Sequence, residues 1–175
     1  MLLADTMSIF FVILGLMLAF PSLWLLCRGL WPNVTSGATA VCSRGSLRGF
    51  AVGVPITIGV ALLAALSNLL GPLGKLAAAA LICFYLVIAN IGVAGFATAI
   101  GERLKSPADL ERPWRATLRG GIILELTYLL PILGWFLILP ASIIIGSGAA
   151  TLSLIALYRT RSAASAPAAT VENAA

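Results

Sequence analysis

Residues 120–158, GGIILELTYLLPILGWFLILPASIIIGSGAATLSLIALY, decide the fold of this chain. The stretch has 39 residues and a single charged one, Glu125. As one α-helix it would be roughly 58 Å long, about twice the thickness of the hydrocarbon core of a bilayer. The stretch therefore has to fold back on itself. Pro131, Gly134 and Trp135 mark the most favourable turn, because proline and glycine interrupt a helix and tryptophan suits the membrane interface.

This turn divides the stretch into two membrane spans, residues 120–133 and residues 136–158. Pro140 leaves an alternative open, since it either kinks the second arm or moves the turn. The first arm is short, and the second has an ordinary length for a crossing. The sequence therefore predicts a C-terminal helical hairpin that turns near residues 131–135.

Three more apolar stretches precede the hairpin, and each is long enough to cross a membrane. They lie at residues 6–27, 50–71 and 76–100. Residues 28–49 are expected to form a loop, and Gly71 to Lys75 a compact turn between antiparallel helices. The predicted fold is all-α, a polytopic transmembrane bundle of about five spans in one domain, residues 1–161.

The composition leaves too few polar residues for a water-soluble domain. Of the 175 residues, 61% are hydrophobic and 10% are charged, against about 25% charged in average soluble domains. The mean hydropathy is +1.07. A soluble domain of this size needs a polar surface that this chain cannot supply, so the lipid bilayer has to cover part of it.

Several function classes are disfavoured by the residue types and motifs. The chain has no histidine, the commonest general base and transition-metal ligand. Its three cysteines have no metal-binding spacing, and no nucleophile elbow, zinc-protease, P-loop or paired-carboxylate motif occurs. We expect no enzymatic activity, no cofactor and no metal. The net charge of +5 comes from residues between apolar stretches, so nucleic-acid binding is not expected either.

The basic residues predict an orientation. They follow the first span, follow the third span and begin the C-terminal segment, whereas the remaining connections carry one or none. Under the positive-inside rule, five spans then place the N-terminus outside and the C-terminus in the cytoplasm. In this orientation the cysteines stay reduced, and the opposite one would permit a Cys27–Cys42 disulfide. Residues 162–175, rich in Ala, Ser and Pro, are expected to form a disordered cytoplasmic tail.

Residues 101–119 form the most polar segment of the chain. The order Ser106, Pro107, Ala108, Asp109 is typical of a helix start, with an N-cap, a proline at N1 and an acidic residue at N3. We therefore expect a short surface helix that ends at Pro113.

Glu125 is the only ionisable residue well inside an apolar stretch, and such residues are costly in a membrane. One interpretation is a proton or cation site, with Asn68 or Asn90 from neighbouring spans as partners. The other places Glu125 near the cytoplasmic headgroups, since it lies only ~9 Å along a helix from Arg119. The sequence leaves both open.

Small residues at intervals of four form two ridges. Ser142, Gly146 and Ala150 follow this spacing on the last span, and Ala97 and Gly101 on the third. Such ridges allow helix backbones to approach closely in lipid. They serve either internal packing of the bundle or association with another chain.

Residues 46–150, about 60% of the chain, resemble a small bacterial membrane module found with bactofilins, the polymer-forming cytoskeletal proteins. The similar pieces are SLRGF at 46–50, GPLG at 71–74, IGERL at 100–104, and RGG at 119–121 through LPILGW at 130–135 to GSGA at 146–149. The chain differs in having no β-helical repeat and in its additional span at residues 6–27. The resemblance implies a bacterial inner-membrane bundle with an anchoring or scaffolding role and no catalytic residues.

Two functions follow as hypotheses. The first is a non-enzymatic bacterial inner-membrane scaffold or accessory subunit that associates with a protein partner or a second copy through its helices. The second is a small ion channel or proton-coupled transporter with Glu125 as its intramembrane site.

Overall fold

The computed structural model describes residues 2–104 and 112–164, which form six α-helices and no strand. A π-helical segment, Gly134–Ile138, leads into the last helix. The helices are α1 (Leu2–Leu30), α2 (Pro32–Ser43), α3 (Ser46–Asn68), α4 (Gly71–Glu102), α5 (Trp114–Tyr128) and α6 (Leu139–Ala164). The expected all-α bundle is confirmed.

Four segments of the described chain are long and apolar enough to cross a membrane: Asp5–Leu30, Ser46–Asn68, Gly71–Glu102 and Gly134–Ser162. The protein is therefore a multi-pass membrane protein. The additional span expected at residues 120–133 corresponds to α5, which has 15 residues and ends at Tyr128. Its length of about 22 Å is shorter than the hydrocarbon core.

The C-terminal hairpin is present, and its turn comes slightly earlier than expected. Residues 129–132 form the turn, while Gly134 and Trp135 already belong to the π-helical segment. Gly134 lies under the last carbonyls of α5, where a Cβ would stand 2.5 Å from the oxygen of Thr127. Pro140 neither ends nor moves the hairpin. It lies just after the π-helical segment, inside the continuous helix that this segment forms with α6, and prolines and π-helical turns are the usual places where a helix bends.

The region expected to be a loop, residues 28–49, contains helix α2. Pro32 occupies its first turn, where proline is well tolerated. The helix lies across α4 and α6, and it buries Val34, Ala38 and Cys42 against them. Gly45, at φ 137°, reverses the chain into α3 with a backbone conformation that favours glycine.

The helices run in two directions. Gly120 of α5 contacts Ala97 of α4, and Ala116 contacts Gly101, so these two helices are antiparallel. Gly92 meets Gly146, and Ala99 packs in one cluster with Ala149, so α4 and α6 are parallel. Helix α1 is antiparallel to α5, since Arg28 contacts Thr117 and Trp24 contacts Gly121. Helix α3 is antiparallel to α6, since Gly49 contacts Ala149 and Gly53 contacts Ile144. Helices α1, α4 and α6 therefore point one way, and α3 and α5 the other.

These directions place nearly all described basic residues at one end of the bundle, which we call the basic end. Lys75, near the start of α4, lies at the opposite end. The residues of the basic end are Arg28, Arg44, Arg48, Arg103, Arg112, Arg115, Arg119, Arg159 and Arg161.

The predicted surface helix and the predicted disordered tail lie wholly or partly outside the described residues. The helix start expected at Ser106 to Asp109 lies outside the described residues. Helix α6 continues to Ala164, three residues into the segment expected to be disordered, and residues 165–175 lie outside the described part.

Candidate functional site

Glu125 lies on α5, on the side that faces α1, and its side chain is 2% exposed. Among the described residues, neither carboxylate oxygen has a hydrogen-bond partner. Burial of a polar group without a partner is unfavourable, and burial of an unpaired charge more so. Glu125 is therefore the least satisfied buried side chain of the described bundle.

A cavity of about 410 Å³ opens beside Glu125 between α1, α5 and the hairpin turn. Apart from Glu125 and the Tyr128 hydroxyl its lining is apolar, and three of the side chains are aromatic. The lining residues are Ile13, Leu16, Phe20, Glu125, Tyr128, Leu129, Pro131, Trp135 and Leu139.

The Tyr128 hydroxyl is hydrogen-bonded to α6. Ser142 donates to the carbonyl oxygen of Leu139 at 2.8 Å, and the oxygens of Tyr128 and Ser142 are 2.5 Å apart. Since the serine proton is already used, Tyr128 donates to Ser142. The phenol proton is therefore not available to Glu125.

Gly121 positions the carboxylate, because it lies one helical turn before Glu125 on the same face of α5. A Cβ at Gly121 would stand 3.0 Å from Cε3 of Trp24, so the glycine lets the indole pack directly on α5. The Trp24 ring is 5.9 Å from that of Phe20, centroid to centroid. Its Nε1 is also buried without a partner among the described residues. The α1–α5 contact thus forms one wall of the cavity.

The two asparagines named as partners of Glu125 do not bond to it. The side-chain amide of Asn68 donates to the carbonyl of Ala64 at 2.9 Å, and that of Asn90 to Leu86 at 3.0 Å. Both side-chain amides therefore donate to backbone carbonyls of their own helices.

The small-residue ridges lie inside the bundle. Ser142, Gly146 and Ala150 are buried, and a Cβ on Gly146 would stand 2.5 Å from the carbonyl oxygen of Ala89. Ala97 and Gly101 pack against α5 in the same way. Because other helices of the same chain already occupy these ridges, a second chain cannot use them.

A polar connection at the basic end was missed by the sequence analysis. Arg28 of α1 donates to Thr117 of α5 at 2.5 Å, and Thr117 is 2.8 Å from the hydroxyl of Thr98 on α4. A second cavity, of about 520 Å³, opens beside Arg28 and Thr98 and is lined mainly by residues of α2, four of which carry a hydroxyl group. Threonine is common in membrane helices. The positions of Thr98 and Thr117 in the sequence therefore do not identify them as partners of Arg28.

The described residues contain no group of side chains that could hold a metal ion. Comparison with protein families, with curated proteins and with solved structures finds no match to this chain. Its function has to be argued from its own residues.

Proposed function

We propose that this chain is a non-enzymatic scaffold or accessory subunit of a bacterial inner membrane. Its basic end lies in the cytoplasm, with the N-terminus outside and the C-terminus inside. Support for the orientation comes from the arginines gathered at one end and the positive-inside rule. The resemblance to bactofilin-associated membrane modules supports the assignment to bacteria.

The observation that carries the proposal is a division of the molecule into a tightly packed body and two apolar arms. The arms are residues 5–19 of α1 and residues 58–84, the tip of the α3–α4 hairpin. In the body, glycines bring helix backbones into contact; a Cβ on Gly53 would overlap the Ile144 carbonyl, and one on Gly148 that of Gly49. Such a body provides a fixed support.

The arms extend from the body with little of their surface covered. Within residues 5–19 every side chain is exposed except Met17, which is half-buried. At the tip of the hairpin, Leu69 is 81% exposed and Leu73 80%. The hydrophobic effect does not drive association inside lipid, so partners there bind through close packing and polar contacts. The arms offer two separated helical surfaces for such packing.

Photo-crosslinking in native membranes tests the proposal. A photoreactive residue replaces Phe11 on the first arm or Leu66 on the second, and Leu154, exposed on the body, serves as the matched control position. We expect discrete protein adducts from the arms and few from Leu154. Adducts with lipid alone at both arm positions would contradict a scaffold role.

The second candidate is a small ion channel or proton-coupled transporter centred on Glu125. The unpartnered, buried carboxylate favours it, because intramembrane ionisable residues often mark ion or proton pathways. Against it, the cavity offers few polar groups besides Glu125. Proton and cation flux into liposomes, measured for the wild type and for Glu125→Gln, decides the question. Flux that is lost in the variant supports transport, and absence of flux in both removes this candidate.

A further inference from the structure

We propose that the cavity between α1, α5 and the hairpin turn binds an organic ammonium ion with apolar substituents, and that Glu125 is its counter-ion. The cavity, the unpartnered carboxylate and the aromatic lining point to this ligand class together. The proposal does not depend on the scaffold role.

The charge of the ligand follows from what surrounds Glu125. The other lining residues from α1, α5, the turn and α6 carry no basic group. The nearest arginine along α5, Arg119, donates to the carbonyl of Leu104, and Arg28 donates to Thr117. The Trp24 N–H is a neutral donor and cannot balance a charge. A cation from outside the chain would supply the missing partner, because charged groups in membranes are usually paired.

The apolar character of the ligand follows from the lining. A bare metal cation needs about six oxygen ligands. The only side-chain oxygens among the lining residues are those of Glu125, which are themselves buried, and the Tyr128 hydroxyl, which is engaged with Ser142. An alkyl- or arylammonium ion needs fewer oxygen ligands, since one carboxylate balances its charge and aromatic faces attract its positive surface. Phe20, Tyr128 and Trp135 provide such aromatic side chains around the cavity.

Size and access agree with a small diffusible ligand. A volume of about 410 Å³ falls within the ~300–1,000 Å³ of typical ligand sites, and it is too small for a partner helix. Trp135 is 67% exposed and Leu129 44%, so the cavity opens on the apolar, lipid-facing side. The ligand would therefore enter from the membrane, as an amphiphilic cation can.

The test uses the purified full chain in micelles of an uncharged maltoside detergent, so that neither a partner protein nor a lipid headgroup can supply the ammonium group. The probe is (4-bromobenzyl)trimethylammonium, whose bromine quenches the fluorescence of Trp135 at short range. The matched neutral compound is 4-bromoneopentylbenzene, in which a quaternary carbon replaces the nitrogen. A Trp135→Phe variant identifies the part of the signal that comes from the cavity.

We expect saturable quenching by the cation in the wild type and loss of that component in Trp135→Phe. The carboxylate attracts the quaternary ammonium ion electrostatically, and a net attraction of about 1.4 kcal/mol corresponds to tenfold in affinity. The neutral compound, and the cation with Glu125→Gln, should therefore bind at least about tenfold more weakly. Glu102→Gln, at the basic end of α4 and outside the residues that line this cavity, should leave the affinity unchanged.

Equal affinity for the cation and the neutral compound in the wild type would overturn the proposal, and so would the absence of saturable quenching. An equal loss of affinity in Glu125→Gln and Glu102→Gln would also overturn it, because the effect would then be one of overall protein charge. If Glu125→Gln does not fold, the comparison of the two compounds on the wild-type protein still shows whether the cavity prefers a cation.

Discussion

Replacement of Glu125 by methionine should stabilise the bundle. The carboxylate is 2% exposed and both oxygens lack partners among the described residues. Leaving a buried polar group unsatisfied costs roughly 1–3 kcal/mol. Methionine has a similar length, adapts to irregular space and adds apolar contacts. We therefore expect the free energy of unfolding of the ligand-free protein to rise by about 1–3 kcal/mol.

Reversible unfolding by SDS in mixed micelles, followed by circular dichroism, measures this change. Ser142→Ala is the matched control, because it removes a buried polar group that is paired. It leaves the Tyr128 hydroxyl without its partner, so it should destabilise by about 1–3 kcal/mol. If Glu125→Met lowered the stability as Ser142→Ala does, the carboxylate would have to be paired in the folded protein, and the argument for an unsatisfied site would fail.

The remaining predictions concern packing, thiol reactivity and the polar connection. Gly92→Ala should lower the free energy of unfolding by about 1–3 kcal/mol, because a Cβ at Gly92 would overlap the α6 backbone and overpacking carries that cost. Gly59→Ala is the control, since no atom lies within 4 Å of a Cβ at Gly59. It should leave the free energy of unfolding unchanged or raise it in the same SDS titration. Burial raises the pKa of the Cys42 thiol to about 11, and the thiolate is the nucleophile. Maleimide should therefore not label Cys42 in the folded protein at pH 7. Labelling should increase as the pH rises or when SDS unfolds the chain. Rapid labelling of a Cys42-only variant at pH 7 would contradict this. Thr117→Val should lower the free energy of unfolding by about 1–3 kcal/mol, because the half-buried Arg28 loses the acceptor of a charged hydrogen bond. Thr98 keeps its hydrogen bond to the carbonyl of Ala94. An unchanged unfolding midpoint would show that the connection contributes nothing.

Much of the fold could be predicted from the lengths and positions of the apolar stretches alone. A 39-residue apolar stretch cannot be one crossing, so the hairpin followed from geometry. The arm ending at Tyr128 proved too short for a full crossing, and the turn began at residue 129. Helix α2 was expected to be part of a loop, because it lies between two long apolar stretches in a segment that contains Arg28, Arg44 and Arg48 and no acidic residue. Its stability comes from packing on α4 and α6, which local sequence does not encode.

The site was predictable in part. Glu125 stood out because it is the lone charge in an apolar stretch, a signal that needs no knowledge of the fold. Its surroundings were not predictable, since Phe20 and Leu16 reach it from α1, more than a hundred residues away in sequence. The asparagines were chosen for their chemistry alone, and each bonds to its own helix. The ridges were recognised by spacing, but spacing does not say which helix occupies them.

The parallel arrangement of α4 and α6 has a consequence for how the protein enters the membrane during synthesis. Two parallel neighbours cannot be joined by a short turn, so α5 has to carry the chain back before α6 begins. With 15 residues that include Arg115, Arg119 and Glu125, α5 is a poor candidate for insertion by itself. We expect the translocon to hold α5 until α6 has emerged and to release both together as one unit. A ribosome-nascent chain stalled between them should therefore leave α5 extractable by alkaline carbonate when tested without α1, α3 and α4.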